Sequence, residues 1–73
     1  MTRYQFARRL RRARENAGLS QAGAAHLLGV APPRVAEYES GVRIPPTMRL
    51  IEMIRTLGLD PDDLFGHLDK EAD

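Results

Sequence analysis

The sequence predicts an all-α fold, a compact domain of five short helices. Three observations predict it. Apolar residues recur at spacings of three and four along most of the chain, the period of a helix with one buried face. Helix-start signals (hydroxyl or carboxylate caps and prolines) alternate with glycines that close the preceding helix. And 73 residues without cysteine leave helix packing as the source of the core.

A chain of 73 residues is one domain. It buries only about 60% of the surface its unfolded form exposes, so a net stability of roughly 4–10 kcal/mol is expected. With no cysteine and no metal-ligand cluster, neither a disulfide nor a metal nor another cofactor is expected. No apolar run approaches the roughly 20 residues of a membrane span. The N-terminus lacks the apolar region of a secretory signal. A soluble, cytoplasmic protein with no membrane partner is the expectation. The net charge of +1 hides an asymmetry: residues 1–55 carry ten Arg against Glu15, Glu37, Glu39 and Glu52, a net +6, and residues 56–73 carry a net −5. A basic body with an acidic tail suits a polyanion approached from one side. Solvated helix faces with no partner explain the charge equally well.

Thr2 to Asn16 reads as the first helix. Thr2 and Gln5 have capping-box spacing, and Phe6, Leu10, Ala13 and Ala17 form an apolar stripe. Arg8, Arg9, Arg11 and Arg12 fall mostly off that stripe. They read first as a solubilising face, with contact of one or two of them to phosphate as the alternative. Gly18 closes this helix and Leu19 drops into the core. Ser20 caps the second helix, Gln21 to Leu28. Counting Gln21 as position one, Ala25 is fifth, Gly29 ninth and Val35 fifteenth. The small Ala25 lets two helices cross closely, Gly29 makes the reversal at positive φ, and Val35 plugs the space between. His26 faces outward and reads as surface.

The third helix starts at Pro32 or Pro33 and ends near Glu39. Pro32 precedes a proline, which biases it away from helical angles, so the helix proper is expected to begin at Pro33. Pro45 and Pro46 introduce the fourth helix, Thr47 to Leu57. Leu50, Ile51, Ile54 and Leu57 mark its core side, with Met48 and Met53 flanking, and Gly58 ends it. Asp60, Pro61 and Asp63 then give a cap, a proline at the first helical position and an acid in the first turn. Leu64 and Phe65 pack onto the core. That capping role accounts for the acidic cluster without a metal. Residues 67–73 read as an acidic, frayed tail beyond a domain spanning 1–66.

Arg14-Glu15, Gly18-Leu19-Ser20-Gln21, Ala25, Leu28-Gly29-Val30, Glu39-Ser40-Gly41, Arg43 with Pro45, Leu57-Gly58-Leu59 and Asp63-Leu64-Phe65 fall in register with a known pattern. In these residues the chain, from about Leu10 to Gly66, resembles the helix-turn-helix family of phage repressors, Cro proteins and their bacterial relatives. The resemblance implies a lambda-repressor-like domain, bacterial or phage-encoded, with its third helix in the major groove of duplex DNA. It implies a buried ion pair between Arg14 and Glu39. It implies phosphate contacts from Gln21, Ser40, Gly41 and Arg43. It implies base readout from the head of the third helix, here Pro32, Pro33, Arg34 and, one turn on, Glu37. Proline packs only on apolar base edges, Arg34 suits guanine O6 and N7, and Glu37 suits cytosine N4. The chain departs from the pattern at Ala31, where Ser or Thr is usual, and at the two prolines and Glu37. These departures spare the fold and weaken base readout.

The function that follows is sequence-specific duplex-DNA binding by a transcriptional regulator, most simply a repressor, acting as a homodimer on a palindrome. The resemblance places the dimer contact in the fifth helix and around Leu57 to Leu68. Two alternatives stand beside it: a DNA-binding antitoxin with a toxin partner, or a protein-interaction module that has lost DNA readout. An enzyme is not expected, since no cysteine and no motif joins a nucleophile to His26 or His67, and no phosphate loop is present.

Overall fold

The computed structural model describes the backbone of residues 1–72 and the side chains of residues 1–66. Five helices follow one another: α1 (Arg3–Asn16), α2 (Gln21–Leu28), α3 (Pro32–Ser40), α4 (Thr47–Leu57) and α5 (Pro61–Ala72). There is no strand among the described residues. α1 lies against both α3 and α5, and α2 lies against both α3 and α4.

α1 opens with a complete capping box. The Gln5 amide donates to Thr2 Oγ1 at 3.1 Å, and the Thr2 amide donates to Gln5 Oε1 at 2.7 Å. Leu10 and Ala13 are buried as the stripe requires. Two positions of that stripe differ. Ala17 is exposed, because it is the C-cap, where the chain leaves the helix to turn through Gly18 at φ +78°. Ala7 is buried instead, one turn before Leu10. α2 is capped by Ser20 Oγ, which accepts from the Gly23 amide at 2.9 Å. It ends at Gly29, whose φ of +70° lets the next amide, that of Val30, reach back to the Ala25 carbonyl at 3.0 Å. An L side chain resists that conformation by about 1–2 kcal/mol.

α3 begins one residue earlier than expected and ends one later. Pro32 takes helical angles although a proline follows it. The restriction before proline is a preference, and the first helical positions have no amide bond to lose. Ala31 remains extended and supplies no side-chain cap. In α4 the core face is rotated from the expected one. Met53 is 1% exposed and Leu57 is buried, while Ile51 is 38% and Met48 69% exposed. α5 starts as its caps dictate, with Asp60 Oδ1 accepting from the Asp62 amide at 2.9 Å. Leu64 is fully buried, and the Phe65 ring stacks on Phe6 at 6.1 Å. The helix continues past Gly66 to Ala72. The side chains of 67–72 and all of residue 73 lie outside the described residues, and the reading of 67–73 as a frayed tail lies there with them.

Leu10, Met53, Leu64 and Val35 are the largest fully buried side chains, with Tyr38 beside them. The core therefore draws on α1, α3, α4 and α5, and the alanines of α2 close over it. The apolar side chains of 57–64 that were expected to meet a second copy point inward: Leu57, Leu59 and Leu64 are all buried. Leu68 lies outside the described side chains. No helix among the described residues is long and apolar enough to cross a membrane.

Candidate nucleic-acid interface

The two helices α2 and α3 are joined by three residues, Gly29, Val30 and Ala31. Ala24 and Ala25 are buried at one side of the junction and Val35 at the other, so α2 and α3 pack closely. The first residues of α3 are thereby left outside: Pro32 and Pro33 are exposed and Arg34 is half-buried.

A polar network holds this unit to α1. Arg14 Nε donates to Glu39 Oε2 at 2.7 Å and Arg14 Nη2 to Glu39 Oε1 at 3.0 Å. Arg14 Nη1 donates to the Leu19 carbonyl at 2.6 Å. The two side chains are 9% and 3% exposed. The hydrogen bond to Glu39 raises the Arg14 pKa above its ordinary value, against the lowering effect of burial. Gln21 Nε2 adds a third donor to Glu39, at 3.1 Å to Oε1. One carboxylate thus ties the end of α3 to α1 and to the first residue of α2. Among the described residues, no buried side-chain nitrogen or oxygen lacks a partner.

Glu37 makes a second junction. Its Oε1 lies 3.4 Å from Arg34 Nε and 3.6 Å from Arg43 Nε. The loop after α3 is closed internally as well. Ser40 belongs to the last turn of α3, and its hydroxyl donates to the Glu37 carbonyl at 3.1 Å. It also accepts from the Val42 amide at 3.4 Å, and the Arg43 amide donates to the Glu37 carbonyl at 3.3 Å. Gly41 is the C-cap of α3 at φ +81° and is buried.

A model of the helix-turn-helix domain family matches residues 5–68, which is most of the chain. The chain belongs to the helix-turn-helix domain family. Comparison with curated proteins and with solved structures gave no match.

In this helix-turn-helix domain the residues expected at DNA fall into two sets. Pro32, Pro33, Arg34 and Glu37 sit together on the head and first turns of α3. Ser40, Gly41 and Arg43 sit at its far end, and the Glu37 carboxylate links the sets through Arg34 and Arg43. Gln21 is bonded to Glu39, the residue before Ser40. The Val42 and Arg43 amides already have acceptors within the loop. Among the described residues no three His, Asp or Glu side chains are placed to hold a metal ion.

Tyr4 has a role that the sequence did not suggest. It is 58% exposed, yet its ring lies over Gly41: a Cβ built there would stand 2.7 Å from Tyr4 Cδ1. This contact brings the start of α1 to the loop after α3. Positions 4 and 41 share no local pattern, so only an exposed aromatic near the chain start hinted at it.

Proposed function

We propose that this chain is a duplex-DNA-binding transcriptional regulator of the phage-repressor and Cro type, acting most simply as a repressor that occludes a promoter. The observation that carries the reading is the helix-turn-helix itself, packed on α1 through Arg14 and Glu39, with Pro32, Pro33 and Arg34 left uncovered at the head of α3. A helix presented this way enters the major groove with its N-terminal residues at base edges. Arg34 then reads guanine or holds a phosphate, and the prolines pack on thymine methyl groups. Gln21, Ser40, Gly41 and Arg43 set the register on phosphate. One domain this small makes few contacts, so a twofold dimer on a palindrome supplies the specificity. The role is one of binding, not catalysis.

A second reading draws on Glu37. Its carboxylate lies beside both Arg34 and Arg43 and offsets one of their two charges in the free protein, which would suit a helix-turn-helix that now binds protein. Arg43→Ala combined with Gln21→Ala separates the two. A DNA binder loses affinity for every duplex, and the slope of log K against log salt falls by about 0.9 for the one charged phosphate contact removed. A protein adaptor shows no such loss.

A further inference from the structure

Five of the ten arginines of this chain pair with a carboxylate among the described residues. Arg11 pairs with Glu15, Arg14 with Glu39, Arg34 and Arg43 with Glu37, and Arg49 with Glu52. Arg8, Arg9 and Arg12 have none among the described residues, and with Gln5 they line one open groove of about 300 Å³ on the outer side of α1. Arg9 is anchored there by donating from Nη1 to the Leu64 carbonyl at 3.3 Å, a bond that orients the guanidinium without cancelling its charge. Arg8 and Arg12, one helical turn apart, are exposed.

Among the described residues, more of the unpaired arginine charge therefore lies on α1 than on α3. Arg34 and Arg43 share a single carboxylate at the α3 end, so one of their two charges is offset. The α1 groove is lined by three arginines. Such a like-charge group repels itself and disfavours folding. A polyanion lying in the groove would reverse that effect. The contact of Tyr4 with Gly41 joins the start of α1 to the loop after α3, and Gln5, the next residue, lines the groove.

We propose that the Arg8–Arg9–Arg12 groove is a second phosphate-binding surface, taking backbone phosphates of duplex DNA outside the base pairs that α3 addresses. The proposal rests on the DNA-binding reading above. Its contribution is sequence-independent: guanidiniums hold phosphate oxygens by charge-assisted hydrogen bonds and release condensed counterions. In the intact chain it adds to the attraction that the Arg34–Glu37–Arg43 cluster, with one charge offset, supplies.

The test is the salt dependence of binding to random-sequence duplex, measured by fluorescence anisotropy for the full chain. Arg8→Gln with Arg12→Gln leaves the Arg9 anchor in place. The slope of log K against log salt is expected to fall by up to about 1.8, with weaker binding at every salt concentration. Arg8→Lys with Arg12→Lys keeps the charges and is expected to restore the slope. Arg55→Gln, which removes an arginine from α4 with no carboxylate partner among the described residues, is expected to change it little. Thermal melting of the glutamine variant is expected to be unchanged or higher. Duplex binding with an unaltered slope in the folded glutamine variant would overturn the groove proposal and leave the DNA-binding reading standing. A loss of half that slope or more in Arg55→Gln, which removes one charge where the other variant removes two, would reduce the effect to net charge and overturn it too. No duplex binding by the unaltered chain would overturn both.

Discussion

Glu39 accepts from three donors on two other helices, and its side chain is 3% exposed. Glu39→Gln would turn an amide NH₂ toward the Arg14 guanidinium, donor against donor, and leave a buried cation without its counter-charge. Breaking such a pair costs about 3–5 kcal/mol, so the melting temperature should fall by roughly 12 °C or more. An unchanged melting curve would contradict the buried pair. Gly41 carries a different strain. Its φ of +81° and the Tyr4 ring, 2.7 Å from where a Cβ would stand, both oppose a side chain. Gly41→Ala should cost about 1–2 kcal/mol from the backbone alone, and more from displacing the ring. Tyr4→Ala in that background should recover only the ring's share. A double-mutant cycle with no interaction energy would exclude the contact. These two residues also mark how far single positions can be read. The partnership of Arg14 and Glu39, 25 residues apart, came from a family resemblance and from no local spacing. Glu37 and Arg34 are three apart on one helix and visibly able to pair, but Arg43 reaches the same carboxylate only through the turn at Gly41.

At the scale of the helix, the two helices of the motif start in unlike ways. Ser20 caps α2 with a hydroxyl acceptor, and Ser20→Ala should cost about 1 kcal/mol, read from the urea midpoint. Ala31 gives α3 no side-chain cap. Pro32 and Pro33 have no amide hydrogens, and the Arg34 amide already donates to the Ala31 carbonyl at 2.9 Å. Ala31→Ser therefore gains only a shared bond, about 0.5 kcal/mol or less. A gain as large as the Ser20 loss would contradict this account. Helix boundaries were legible because caps, prolines and glycines act locally. The face of α4 was less so. Leu50, Ile54 and Leu57 define a stripe, and at 3.6 residues per turn Met53 lies roughly 65° from its centre and Ile51 roughly 95° on the other side. The stripe alone does not choose between those flanks; the packing of α2 on α4 selects Met53.

For the whole molecule, stability rests on very few side chains. With roughly 4–10 kcal/mol in total, Leu64→Ala at a fully buried site, costing about 2–5 kcal/mol, should leave the domain partly unfolded at 37 °C by circular dichroism. A cooperative melt at the original temperature would mean that α5 is dispensable. The five-helix architecture could be read from the sequence because each helix carries its own punctuation. The distribution of charge could not, because it depends on which arginine takes which carboxylate: Glu15 goes to Arg11 and leaves Arg8, Arg9 and Arg12 together. In the proposed reading DNA meets α3, whose Arg34 shares a carboxylate with Arg43, beside the Arg8, Arg9 and Arg12 groove of α1. The most direct test is selection of duplex DNA from a random pool by the purified protein near physiological salt. Enrichment of a palindrome with half-sites about 34 Å apart is the expected result, and it would identify the bases facing Arg34 and Glu37. Failure to enrich any sequence, with weak binding that vanishes as salt rises, would contradict specific recognition by α3.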